Sequence, residues 1–254
     1  MSGSRDKILG RIREALRVER PAKSELRSAI KEGRHDHIAL VDSNADACGE
    51  ASLPWEAAPG GTTPFDRFLP RAAQTAAEQI DQFAAFSERL RTDFRQFDSV
   101  GSAGQFLASL ATNENWSRVA VDDSELAGAV ASHLDSSIPI LLIGDGYDRH
   151  ELECCNAAIT GCECLVAQTG SVCVTAQNGG RALSVLPPHH LVIARRNQML
   201  SDLPAAYASL AKKYSDAWPS FVCLITGPSR TGDIERILVL GAHGPKRLTV
   251  MLVP

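Results

Sequence analysis

The sequence predicts an α/β fold, a largely parallel sheet with helices on both faces, preceded by an N-terminal helical arm. Three observations carry that expectation. From about residue 100 onward, short apolar runs such as Pro139–Ile143, Leu191–Ala194 and Leu248–Val253 alternate with helix-like stretches; this is the pattern of strands covered on both faces by crossover helices. Between Arg71 and Phe94, the residues Ala76, Ile80, Phe83, Leu90 and Phe94 recur at steps that keep them on one helical stripe. Before that stretch, Pro54, Pro59, Gly60, Gly61, Pro64 and Pro70 fall among polar residues and break any periodicity.

Taken in order, Ser4 to Val18 reads as an amphipathic helix with Ile8, Ile12 and Leu16 on one face, and Arg20-Pro21 ends it. Residues 1–70 are therefore an N-terminal helix and irregular arm, and residues 71–254 an α/β domain. Within the domain, the periodic helix Arg71–Phe94 is followed by a loop into a helix (Gly101–Ala111) and a strand (Arg118–Val121). Next come a helix (Ser124–Leu134), the strand Pro139–Ile143 and a helix from Tyr147 to Ala158. Cys164–Ala167 and Val172–Thr175 read as short strands flanking Gln168-Thr169-Gly170-Ser171, and Leu191–Ala194 as a strand entered through Pro187-Pro188. Pro204–Tyr214 reads as a helix with Leu203, Ala206, Tyr207, Leu210 and Tyr214 inward. Phe221–Thr226 and Leu248–Val253 are expected to close the sheet. Gly227-Pro228 forces a turn after the first of these, and Ser229 or Thr231 is placed to cap a short helix whose first turn carries Asp233 and Glu235.

A chain of 254 residues can bury a large core, and 44% hydrophobic with 22% charged residues is ordinary for a soluble globular protein. The net charge of -4 offers no case for binding nucleic acid or an anionic membrane. No apolar run approaches the roughly 20 residues of a membrane span, and the N-terminus lacks the apolar core of a signal peptide. Seven cysteines, an odd number, argue against a secreted disulfide framework. A cytoplasmic location is expected. The G-x-S-x-G, H-E-x-x-H, Walker A and G-x-G-x-x-G signatures are absent, and Gly144-Asp145-Gly146 lacks the third glycine of a dinucleotide fingerprint.

Several residues remain as candidates for chemistry. Cys154, Cys155, Cys162 and Cys164 fall within eleven residues, but as an adjacent pair and a C-x-C pair rather than the C-x-x-C turns that converge on a metal. They read as small buried hydrophobes, with a metal or cluster site as the alternative. His189 and His190 enter a strand, so they point to opposite sheet faces and do not readily share one ion. Either could serve an acid–base or anion-binding role at the strand entrance, or simply pack. His243 lies in the glycine-rich turn Gly241–Pro245, which can bring backbone N–H groups to a ligand. A strand that feeds a hydroxylated loop, as at Gly227, Ser229 and Thr231, is where α/β sheets bind anions. Asp233 and Glu235, two apart, diverge on a helix, which gives a paired-carboxylate mechanism little support.

The block Gly-Pro-Ser-Arg-Thr-Gly-Asp-Ile-Glu at Gly227–Glu235, followed by Leu-Val-Leu-Gly-Ala-His-Gly-Pro at Leu238–Pro245, closely resembles the LUD-domain family. Thr160-Gly161, Ala167–Ser171 and Leu186–His190 fit the same family. The resemblance implies a fold like that of the NagB, ribose-5-phosphate isomerase and CoA-transferase superfamily. It also implies an accessory role in oxidising L-lactate to pyruvate beside iron–sulfur partner proteins of a lactate utilization system. On that basis no cofactor is expected in this chain, and the iron–sulfur clusters are expected in the partners. The implied pocket comprises Thr169, Gly170, Ser171, Gly227, Ser229, Thr231 and His243, with His190 beside it, and would hold a small carboxylate or phosphate. The family carries Ala-Glu-Thr-Gly or Ala-Asp-Thr-Gly where this chain has Ala167-Gln168-Thr169-Gly170. An amide cannot replace a catalytic base. Two alternatives stay open: an autonomous enzyme on a small anionic substrate, with Glu163, Asp233, Glu235 or His190 as catalytic candidates, and a non-catalytic scaffold or regulatory module.

Overall fold

The computed structural model describes residues 69–144, 148–177, 180–231, 239–241 and 243–254. The expected N-terminal helix and nearly all of the irregular arm lie outside the described residues. Helix α1 (Ala76–Leu90) starts at a capping box in which the Thr75 hydroxyl accepts from the Glu78 N–H and the Glu78 carboxylate accepts from the Thr75 N–H. It stops at Arg91, whose left-handed backbone (φ 62°) ends the hydrogen-bond ladder. Phe94 therefore belongs not to the helical stripe but to strand β1 (Asp93–Gln96), where its ring meets Phe83 edge to face at 5.0 Å.

The chain continues through α2 (Val100–Asn113, capped by Ser99 and Ser102), β2 (Val119–Asp122), α3 (Glu125–Ala131, capped by Ser124) and β3 (Ile140–Ile143). Helix α4 covers only Arg149–Glu153, and Ala157–Thr160 forms β4, buried along its whole length. The expected helix to Ala158 is thus cut short. A strand in the middle of a sheet overrides the helix propensity of its two alanines.

Strands β5 (Cys164–Val166) and β6 (Ser171–Thr175) precede α5 (Gly180–Leu183) and β7 (His189–Arg195). A 3-10 turn (Arg196–Gln198), β8 (Met199–Leu200), α6 (Leu203–Lys213), β9 (Val222–Ile225), β10 (Arg230–Thr231), β11 (Val239–Leu240) and β12 (Arg247–Val253) complete the order. On α6, Ala206, Leu210 and Tyr214 face inward as expected, whereas Tyr207 is half exposed.

Six strands form one fully parallel sheet in the order β1-β12-β7-β4-β2-β3. A second sheet, β8-β5-β6-β9, is mixed, and β10 and β11 form a short antiparallel pair. Strand β9 was expected in the main sheet with β12 but lies in the second. The four-residue turn Ala167–Gly170 between β5 and β6 permits only an antiparallel hairpin, because a parallel return needs a dozen or more residues. Strand β9 then pairs with that hairpin, Leu224 opposite Cys173.

Alternation along the strands sorts the core into two faces. Val119, Val121, Ala157, Ile159, Leu191, Ile193, Met251 and Val253 pack against α2 and α3 through Leu107, Ala127 and Val130. Val192, Ala194, Leu248, Val250 and Leu252 face the other way, onto α1 and the inner side of the second sheet. Helix α6 covers that sheet's outer side through Ala206 and Leu210. Helices thus cover both faces of the main sheet, and the second sheet adds a layer on one of them. Among the described residues no helix is long and apolar enough to cross a membrane.

Candidate functional site

The two glycine-proline segments singled out in the sequence meet at one place. Leaving β9, the chain turns at Gly227 (φ +86°), whose Cα packs so closely on the end of α1 that a Cβ there would lie 3.0 Å from the Leu90 carbonyl oxygen. The following loop is pinned by its backbone: Ser229 N–H donates to Pro245 O at 2.9 Å, and Gly241 N–H donates to Ser229 O at 3.0 Å. Gly244 lets the loops approach, since a Cβ at that position would lie 3.2 Å from Ser229 Cβ. The carbonyl of Pro188 accepts from the N–H groups of Lys246 and Arg247, which ties the entrance of β12 to that of β7. The Pro-Pro-His-His segment and the His-Gly-Pro turn are therefore parts of one junction.

That junction encloses a cavity of about 320 Å³. Its walls come from Ser184 and Val185 after α5, His190 at the start of β7, Cys223 and Ile225 of β9, the loop Thr226–Arg230, the turn His243–Pro245, and Leu248 of β12. The apolar side chains lie along the strands, and the polar ones come mainly from the loops.

His190 is fully buried and sits opposite Leu248 and Ala158 in the sheet register. Its Nε2 and the Thr160 hydroxyl share a hydrogen bond of 2.9 Å, while its Nδ1 has no hydrogen-bond partner. Burial, with a smaller effect from neighbouring His189, pushes its pKa down to about 3. A ring neutral at pH 7 with that pKa is a hydrogen-bonding group rather than a proton shuttle.

His189 points to the opposite face, as alternation requires. Its Nε2 meets the Thr249 hydroxyl at 2.8 Å, its ring stands edge-on to Trp116, and Glu114 approaches its Nδ1 to 4.0 Å. Burial and the Arg247 cation push its pKa down to about 4 against the opposing pull of Glu114. It packs away from the cavity.

The candidate residues divide clearly. His190, Gly227, Ser229 and His243 line the cavity. Thr169 and Ser171 do not, but a chain of hydroxyls links them to it: Thr169 to Ser171 at 2.8 Å, and Ser171 to the wall residue Thr226 at 2.8 Å. Gly170 (φ +65°) faces α1, where a Cβ would lie 2.7 Å from Phe86 Cβ, so its role is close packing. Gln168 is held by the hydrogen bond from its amide nitrogen to Pro70 O and is not in the cavity wall.

Glu163 is also away from the cavity. Its carboxylate accepts from Lys213 Nζ at 2.6 Å, Tyr214 Oη at 2.8 Å and Thr175 Oγ1 at 3.2 Å. Burial alone would lower the Lys213 pKa, but the Glu163 carboxylate outweighs it and holds the pKa up. Thr231 ends the short strand β10, opposite Val239 of β11, and the short helix expected after it lies outside the described residues. Asp233 and Glu235 lie outside the described residues.

Cys155, Cys162, Cys164 and Cys173 are buried and Cys154 is exposed. Burial pushes the Cys155 thiol up to about 11 and the Cys162 thiol higher still, so both stay protonated. The Cys164 thiol is raised by its hydrogen bond to Cys173, which faces it across the hairpin, and by burial. Among the described residues no group of three or more His, Cys, Asp or Glu side chains is placed to hold a metal ion.

Sequence reasoning missed Arg230, Thr226, Ser184 and Val185. Arg230 stands inside the Gly-Pro-Ser-Arg-Thr block and is the one cation within it. Nothing in the sequence pointed to Ser184 and Val185. Buried Asp122 was missed too. It accepts from the Gly161 N–H at 2.8 Å and from Ser124, and burial pushes its pKa up despite these bonds. It fixes the crossing from β4 toward β5.

Fold and cavity define an α/β protein with a small polar-mouthed, apolar-walled site at the entrance of two parallel strands. Residues 145–253 match the LUD domain. The chain is similar to the lactate utilization protein C of Deinococcus radiodurans, with 30% identity over 152 residues, covering 52% of this chain and 71% of that one. With the lactate utilization protein C of an Exiguobacterium species it shares 25% identity over 200 residues, 75% of this chain and 83% of the other. The match to the lactate utilization protein C of Oceanobacillus iheyensis is confined to 76 residues at 32% identity, 29% of this chain and 33% of that one. A crystal structure of a DUF162 family protein from Deinococcus radiodurans superposes with a TM-score of 0.56 at 22% identity, covering 72% of this chain and all of that one, which shows the shared fold. The chain belongs to the LUD-domain family.

Proposed function

We propose that this chain is an accessory subunit of a lactate utilization system, acting in the oxidation of L-lactate to pyruvate together with iron–sulfur partner proteins in the cytoplasm. The observation that carries the proposal is the 30% identity to a lactate utilization protein C across 71% of that relative's length. The cavity supports it, because the segments that carry the family resemblance, Gly227–Arg230 and His243–Pro245, are the ones that form its mouth.

Oxidation of lactate to pyruvate releases two electrons and two protons. The described cavity offers groups that bind and orient a small anion: an arginine, hydroxyls and a neutral imidazole. The electrons are assigned to clusters in the partner proteins. Glu163, the carboxylate candidate within the described residues, is committed to Lys213 and Tyr214 away from the cavity, so the autonomous-enzyme alternative draws no support from that carboxylate.

The test is L-lactate-dependent reduction of an artificial electron acceptor under anaerobic conditions. The purified chain, the partners recovered with it, and the two combined are compared. Activity in the combination alone is the expected result. If no partner co-purifies and lactate is inert in every mixture, the assignment fails.

A further inference from the structure

We propose that the outer edge of β3 is a self-association surface, where a second copy of this chain pairs antiparallel across a two-fold axis and the main sheet runs on through both copies. The surface lies apart from the cavity, and nothing in this inference depends on the lactate reading.

The two edges of the main sheet differ in chemistry. Strand β1 closes one edge and carries an ion pair within the strand, with Arg95 Nε donating to both Asp93 carboxylate oxygens at 3.0 Å. Charges of this kind keep an edge from adding strands. Strand β3 closes the other edge, and residues 136–144, which contain it, include no charged side chain. Ile140 is 46% exposed and Leu142 62% exposed. Both stand opposite core valines, Val119 and Val121, on the face covered by α2 and α3, yet they remain open to solvent. An apolar edge strand left open in this way is a template for another strand.

The backbone of β3 fixes how a partner strand must sit. Val119 N–H donates to Pro139 O at 3.1 Å, so Pro139 turns its carbonyl toward β2. Alternation then turns the N–H and C=O of Leu141 and Ile143 toward β2 as well, and those of Ile140 and Leu142 outward. The antiparallel register that uses every outward group sets Ile140 opposite Leu142 of the second copy, and Leu142 opposite its Ile140. Each such pair exchanges both its hydrogen bonds, and Leu141 meets its own mate on the axis between them.

The occupant that fits these features is β3 itself. A two-fold axis perpendicular to the sheet keeps the faces in common, so the exposed Ile140 and Leu142 of both copies gather on the α2–α3 face and cover one another. Apolar surface meets apolar surface, and no ion is taken out of water. A strand bearing charges at these positions would have to desolvate them against Ile140 and Leu142. The contact is isologous and uses up the edge, and the charged β1 edge offers no second one, so association closes at a dimer. Pairing through one short strand per copy is a small interface at the low end of specific contacts, so the dimer is reversible.

The experiment follows the full chain by sedimentation velocity over about a hundredfold range of concentration, with amide hydrogen exchange read along β3. A reversible shift from monomer to dimer is expected, and exchange at Ile140 and Leu142 should slow at least about tenfold as the dimer forms. The Leu141 amide, already turned to β2, should change far less. Ile140→Lys/Leu142→Lys and Ile140→Glu/Leu142→Glu should each weaken self-association at least about tenfold, because like charges then face each other. An equimolar mixture of the two should dimerise more strongly than either alone. The substituted side chains are exposed, so the urea midpoints should stay near wild type; should a variant fail to fold, the exchange measurement on the wild-type chain carries the test. A wild-type chain that is monomeric throughout overturns the proposal, as does a dimer that leaves the Ile140 and Leu142 amides unprotected, or a mixture no stronger than its components. Amides already protected in the monomer would mean that another segment of the same chain, such as residues 1–68, occupies the edge, which overturns it too.

Discussion

Replacing Gly227 by alanine tests whether the loop over the cavity is held in place by the fold. At φ +86° a residue with a Cβ pays about 1–2 kcal/mol for the left-handed backbone. The new Cβ would also lie 3.0 Å from the Leu90 carbonyl oxygen and 3.3 Å from Leu90 Cβ. That oxygen belongs to the last residue of α1 and cannot swing aside like a side-chain tip, so forcing the methyl in adds about 1–3 kcal/mol. Alanine restricts the unfolded chain and returns about 0.4–1 kcal/mol. The net loss is about 1–4.6 kcal/mol, read by urea denaturation as a lower midpoint with an unchanged slope. Gly128, within α3 and with no atom within 4 Å of a built Cβ, is the control. Gly128→Ala should stabilise by about 0.5–1 kcal/mol. A Gly227→Ala protein within about 0.5 kcal/mol of wild type would refute the claim that packing on α1 fixes this loop.

Two further predictions concern the buried polar groups. His189 and His190 are held neutral in the fold, with pKa values of about 4 and about 3, whereas the unfolded chain protonates both near about 6.5. Below that value the unfolded state binds the extra protons, so stability is full above pH 7 and declines as pH falls, until each folded pKa is reached. The loss between pH 7 and pH 5.5 should be about 2–3 kcal/mol for the pair, and a flat urea midpoint over that range would contradict the assignment. Glu163→Gln should cost about 1–3 kcal/mol by weakening the bonds from Lys213 and Tyr214, while lactate binding is unchanged. Full stability combined with lost binding would instead place Glu163 in the site.

The parallel sheet was legible because its strands carry their own signal: Leu191–Ala194 and Leu248–Val253 are apolar and β-branched, and burial on both faces demands that composition. Ala157–Thr160 was not legible, since two alanines after an amphipathic stretch read as helix until neighbours on both sides claim them. The assignment of β9 to a second sheet depended on the reach of the Ala167–Gly170 turn, a geometric constraint that periodicity does not express. Of the site, the glycine-proline loops were visible because positive φ and close approach leave few residue choices, as at Gly227 and Gly244. His190 was visible as a strand entrance, and alternation already separated it from His189. The role of Arg230 was not visible, because a single arginine in a loop has no periodicity to mark it. Thr169 and Ser171 were placed in the pocket on resemblance, and the structure puts them one hydroxyl behind its wall.

The most direct test of the central claim combines the cavity with the assembly. Wild-type chain and the Ser229→Ala/Arg230→Met double variant are each assembled with the iron–sulfur partners, and lactate-dependent acceptor reduction is followed anaerobically. The double variant is expected to fold, recover the same partners and lose most of the lactate-dependent rate at low lactate. A folded double variant that assembles normally and turns over lactate at the wild-type rate across all concentrations would contradict it.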